Sequence, residues 1–128
     1  MCFSGGFVLS MMLEPALLAP VVAQPSLPFF SRCALDIESS TLMQVVNRPD
    51  RVRVLGLRFE RDRISPEQRM DRLQETFCST TPHTSARFER IEVPGTGHST
   101  LTFDYDRAVA RGVDTRQRVL AFLQNELQ

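Results

Sequence analysis

The stretch RVRVLGLRFERDRISPEQRMDRL, residues 51–73, decides the fold. Val52, Val54, Leu55, Leu57 and Phe59 join high strand propensity to an almost unbroken apolar run, the pattern of a strand covered on both faces. A helix start follows within a few residues. Ser65 is placed to cap the free amides, Pro66 suits the first helical position, and Gln68 stands three residues after the cap, completing a capping box. Met70, Leu73 and Phe77 then recur on one side of that helix. A doubly covered strand running into an amphipathic helix is the repeating unit of a parallel α/β sheet.

Working outward, residues 17–23 read as a short apolar strand ended by the QPSLP turn, residues 24–34 as a loop, and residues 38–47 as a helix closed by Arg48-Pro49. Nearer the start, Gly5 and Gly6 open residues 7–13, which are apolar on nearly all sides. That pattern predicts a helix enclosed by protein, with Phe7, Met11 and Met12 filling core and Pro15 ending the run. On the other side, ARFERIEV at residues 86–93 alternates, as expected of a strand with one wetter face near a sheet edge. Residues 103–112 allow a short helix. The last helix starts near Thr115, capped by Asp114 with Gln117 three residues on, and turns Val119, Leu120, Phe122, Leu123 and Leu127 toward a core. Strands separated by helices predict an α/β fold of about three parallel strands with flanking helices.

Composition narrows the function classes. At 128 residues, 42% hydrophobic and 23% charged, the chain suits one globular domain and excludes whole-chain disorder. The 15 basic residues, all arginine, are balanced by 15 acidic ones, which argues against a nucleic-acid binder working by counterion release. Cys2, Cys33 and Cys78 are odd in number and widely spaced, so they outline neither a disulfide framework nor a zinc site, and a reducing, cytoplasmic setting is expected. Residues 1–30 are apolar enough to raise a secretory signal. They lack a basic leading region, and Glu14-Pro15 breaks the apolar run well short of the roughly 20 residues a membrane span needs.

Chemistry gathers where predicted strands end, because ligands in open α/β sheets bind beyond the carboxyl ends of the strands. The residues there are a thiol, a carboxylate and an imidazole. Cys2 precedes a helix start, whose amides and dipole favour a thiolate. Asp62 lies in the turn after the strongest strand, and His98 lies in the glycine-rich turn after the last one. In a nucleophilic relay the imidazole takes the thiol proton and the carboxylate fixes the ring's tautomer. Taken singly, Cys2 reads as a small packed residue, Asp62 as a turn cap and His98 as a solvated turn residue. His83 reads as a surface loop residue, and Cys33 and Cys78 as packing. The arginines from Arg48 to Arg63 read as a wet face, with those flanking Asp62 also able to hold a substrate carboxylate.

MCFSGGFVLSM, residues 1–11, resembles the nucleophile elbow of the dienelactone hydrolase family of the α/β-hydrolase fold, in which a cysteine replaces the commoner serine. LGLRFERDRISP, residues 55–66, resembles the strand and turn carrying that family's acid, and VPGTGHST, residues 93–100, the turn carrying its histidine. The resemblance implies a Cys2, Asp62, His98 triad in the family's order, with the backbone amide of Phe3 in the oxyanion hole. It further implies hydrolysis of small carboxylic esters or lactones with no metal or organic cofactor; the balanced charge and the interrupted apolar run separately leave neither nucleic acid nor membrane expected as partner. It covers nearly the whole chain but corresponds to the C-terminal half of the family fold, from the elbow onward. Residues 1–128 are therefore expected to form a partial domain lacking the N-terminal half, with impaired activity and an exposed first strand edge open to self-association. Two alternatives stand. A small-x-Ser-x-Gly register over residues 2–6 makes Ser4 the nucleophile, and a non-catalytic remnant or partner-dependent fragment would need none.

Overall fold

Val54, Leu55, Leu57 and Phe59 are fully buried, and the strand they form, β2 (Val54–Phe59), is the centre of the sheet. In the computed structural model, which describes residues 1–50, 52–78 and 87–128, β2 is flanked by β1 (Val21–Ala23) and β3 (Phe88–Val93), both parallel to it. Leu55 pairs with Val21 on one side and Glu89 on the other, and Phe59 pairs with Val93. The fold is therefore α/β with an all-parallel sheet, as the sequence predicts. Arg51, His83 and Ala86, included in the readings above, lie outside the described residues.

Helices cover both faces. A 3-10 turn (Cys2–Gly5) leads into α1 (Phe7–Met11); α2 (Ser39–Val46), α3 (Glu67–Cys78), α4 (Tyr105–Ala110) and α5 (Thr115–Glu126) follow. Leu9, Val45, Met70, Leu73 and Phe77 join Val22, Val54 and Phe88 in one core, while Phe122 of α5 joins Ala23, Leu55, Leu57 and Ile91 in another. Asp114 caps α5 as expected, its Oδ1 accepting the Gln117 amide at 3.0 Å. Gly56 is required where helix and sheet press closest: a Cβ there would run into the Phe88 ring and lie 2.5 Å from Met70 Cε. Among the described residues no helix is long and apolar enough to cross a membrane.

Several local expectations need correcting. The α1 helix is not enclosed: Leu9 and Met12 are buried, but Phe7 and Met11 are 50% and 59% exposed. Four residues apart, they share a stripe that points away from Leu9, so they are not core filling. The first strand is shorter than its apolar run because Pro20 has no N–H to give; the pairing opens with its carbonyl accepting the Leu55 amide at 3.0 Å. Ser65 does not cap α3. Its Oγ is buried without a hydrogen-bond partner, and Asp62 organises that turn instead. Leu120 on α5 and Leu127 just beyond its end are exposed, and Cys33 is exposed and does not pack in a core, whereas Cys78 packs against the first core.

Candidate active site

The carboxyl ends of the three strands bring Cys2, Asp62 and His98 into one line. Cys2 Sγ lies 2.9 Å from His98 Nε2, and His98 Nδ1 lies 2.7 Å from Asp62 Oδ2. The Asp62 side chain is 1% exposed and the His98 side chain 19%, so the carboxylate is shut from water while the ring keeps a solvent side. The thiol sits in the 3-10 turn at φ 50°, a left-handed conformation that costs a side-chain-bearing residue about 1–3 kcal/mol. Cys2 is tied back to the sheet by the Ser26 amide, which donates to its carbonyl at 3.3 Å, and Ser26 Oγ lies 3.7 Å from Sγ.

Asp62 divides its oxygens. Oδ1 accepts the amides of Ile64 at 2.9 Å and Ser65 at 3.0 Å, which is the turn-capping role, and Oδ2 meets the imidazole. Arg58, on β2, fixes the same turn by donating to the carbonyls of Glu60 and Ser65 while its other nitrogen meets Glu92 at 2.6 Å.

The loop carrying His98 is held by a residue that the sequence reading missed. Asp104, just before α4, turns its carboxylate back, and Oδ2 accepts the amides of His98 at 2.9 Å and Ser99 at 3.0 Å. Those two amides, helped by the charges of Arg107 and His98, outweigh burial and hold the Asp104 carboxyl below its ordinary range. Its only sequence signal is an aspartate ahead of a helix, which reads as an ordinary cap. Gly97 lets the loop lie on the Phe59 ring, 2.7 Å from where a Cβ would stand. Thr100 Oγ1 donates to Gln24 Oε1 at 2.7 Å, joining the loop to the end of β1.

Electrostatics favour a charged ring. Burial alone would lower the pKa of His98, but hydrogen bonds to Cys2 and Asp62, together with their negative charge, outweigh it and hold the value above the ordinary 6.5. The arrangement can move a proton from sulfur to imidazole and keep it there.

Beside the thiol is a pocket of about 510 Å³, walled by Ser26, Phe29, Arg32, Arg63 and Ile64. Its floor depends on Arg69 of α3, a 1% exposed guanidinium that donates to the carbonyls of Pro25, Pro28, Ser31 and Ala34. Burial lowers the pKa of this arginine, with the nearby Asp36 and Cys33 opposing. A larger groove, about 700 Å³, runs along β3 and does not touch the relay.

Ser4 is not brought to the histidine. Its Oγ donates to the Met1 carbonyl at 2.9 Å and receives the terminal ammonium at 3.3 Å, and the ring nitrogen that would serve it is bonded to Cys2. Phe3, whose amide the resemblance assigns to an oxyanion, follows Cys2 in the 3-10 turn. Among the described residues no group of three His, Cys, Asp or Glu is gathered to hold a metal ion. Compared with known proteins, the chain matches no protein-family model, no curated sequence and no solved structure.

Proposed function

We propose that this chain is a hydrolase of small carboxylic esters or lactones that uses Cys2 as nucleophile, His98 as general base and then acid, and Asp62 to orient the ring. The observation that carries the reading is the unbroken line from Sγ through both ring nitrogens to a buried carboxylate oxygen, at 2.9 and 2.7 Å. His98 Nε2 takes the thiol proton and the thiolate attacks the carbonyl carbon. The oxygen that becomes negative is met by backbone amides at the helix start, Phe3 among them. As the tetrahedral intermediate collapses, the alkoxide leaves with the proton from His98. Water, deprotonated by the same nitrogen, then opens the thioester to give the carboxylic acid and restore the thiol.

The pocket supports a substrate with a compact apolar part against Phe29 and Ile64 and an anionic group near Arg32 and Arg63. The test is hydrolysis of p-nitrophenyl acetate against the same alcohol esterified with a dicarboxylic acid. Turnover is expected to disappear in Cys2→Ala, and iodoacetamide is expected to label Cys2 faster than the exposed Cys33. Equal labelling of both thiols, with no Cys2-dependent turnover, would leave a folded but non-catalytic relative as the better description.

A further inference from the structure

β3 ends the sheet, and its outer side is the longest run of unpaired strand backbone among the described residues. Val54 donates to the Arg87 carbonyl at 2.8 Å and Glu60 to the Val93 carbonyl at 2.9 Å, so odd-numbered residues of β3 face β2. By strand alternation, Phe88, Arg90 and Glu92 aim their N–H and C=O groups outward. The groove of about 700 Å³ follows this edge, walled by Arg90, Ile91 and Glu92 on the strand and by Gln117, Arg118 and Ala121 on α5.

We propose that this edge pairs with the same edge of a second copy of the chain, antiparallel about a two-fold axis at Ile91, to make one sheet continuous across both copies. A two-fold axis normal to a sheet preserves its faces, so each residue can oppose only residues of its own face, and the outward-facing ones must meet as hydrogen-bonded pairs. Strand length and charge then select the register: an axis at Phe88 or Val93, the ends of β3, leaves the rest of the strand unpaired. An axis at Glu89, Arg90 or Glu92 sets that residue against its own copy, like charge on like charge. An axis at Ile91 sets Ile91 against Ile91, with Arg90 opposite Glu92 of the second copy on each side. These charges already work together within one chain: Arg90 meets Glu92 at 2.7 Å and Asp71 at 2.6 Å, and Glu92 meets Arg58 at 2.6 Å. Pairing extends that network across the axis. The same charges repel other registers and apolar strands, as edge charges do in sheets that avoid indiscriminate association. Ala121, exposed and small, keeps the α5 wall clear of the incoming strand.

Sedimentation velocity over a micromolar concentration series tests this, with a species twice the 14.5 kDa chain expected. Arg90→Pro removes an outward N–H without touching the ladder to β2, and Arg90→Glu sets carboxylates against each other. Either is expected to weaken the dimer at least roughly tenfold with the far-UV circular dichroism unchanged. Should the proline variant fail to fold, the charge reversal decides alone. Mixing Arg90→Glu with Glu92→Arg chains is expected to restore a dimer, since every cross-axis pair is again of opposite sign. A wild type that stays monomeric overturns the proposal, as does a dimer indifferent to both Arg90 substitutions. Because the relay lies at the carboxyl ends of the strands, ester turnover reads the hydrolase assignment separately.

Discussion

Replacing Asp62 by Asn keeps an acceptor for the Ile64 and Ser65 amides but places an N–H₂ where His98 Nδ1 must donate. The turn should survive and the ring tautomer should not. Expected are an unfolding free energy within about 1 kcal/mol of wild type, KM little changed, and kcat lower by up to about ten-thousand-fold. Steady-state kinetics and urea melts together check it; an unchanged kcat would mean that Asp62 serves the turn alone. His98 carries a second prediction. Its pKa stands above 6.5 through hydrogen bonds that overcome burial, the one to Cys2 acting more strongly than the one to Asp62. Cys2→Ala should therefore lower it, read from the imidazole Cε1 proton in NMR. The folded state holds this proton more tightly than the unfolded chain. The stabilisation is thus complete below pH 6.5 and is lost as pH rises through the folded-state value. His98→Gln should flatten the melting temperature across that window, and an unaltered pH profile would remove the charged pair from the account. At this scale the relay residues were legible because a thiol, a carboxylate and an imidazole stand at predicted strand ends. Asp104 was not, since what matters is that one oxygen of its carboxylate reaches back to the His98 loop while the other stays with Arg107 of its own helix.

Among the elements, the joint between β2, β3 and α3 has the least slack. Gly56→Val forces apart the Phe88 ring and Met70, so a loss of about 1–3 kcal/mol is expected, measured by urea unfolding. The β2 run and the Met70, Leu73, Phe77 stripe were readable in advance because burial on two faces and on one leave different periodicities. For α1 the pattern misled: a short helix has one face to bury, and an apolar opposite face says nothing of what lies against it. The loop between β1 and α2 left no periodic signal either, because its order comes from α3. Arg69 binds the carbonyls of Pro25, Pro28, Ser31 and Ala34, and a single arginine in an amphipathic helix reads as solvent-facing. Arg69→Met keeps the helix face filled but strands those acceptors, at about 1–3 kcal/mol for each that water does not reach. Since Ser31 and Arg32 wall the thiol pocket, KM is expected to rise with stability falling. A variant as stable as wild type would show that the loop orders itself.

For the whole molecule, the decisive fact is that the sulfur and the imidazole are 96 positions apart in sequence. No local structure can join them. Cys2 reaches His98 only when β1 lies beside β2, which fixes Ser26 under the Cys2 carbonyl, and when β3 lies on the other side, which delivers the Asp104-held loop. Parallel pairing supplies both, because it gathers all three strand ends at one rim, and this is why alternating strand and helix patterns were enough to suggest a shared site. The contact between thiol and imidazole is consequently a property of the native fold as a unit. Iodoacetamide labelling of Cys2 in increasing urea should lose its advantage over Cys33 at the same midpoint at which the far-UV circular dichroism collapses, as two-state unfolding of a small domain requires. Loss at a lower midpoint would show that the 3-10 turn or the His98 loop detaches while the sheet persists. Dependence on Asp104 separates those cases: Asp104→Asn weakens the hold on the loop and not on Cys2. It should therefore shift the labelling midpoint below the dichroism midpoint only if the loop is the first part to leave.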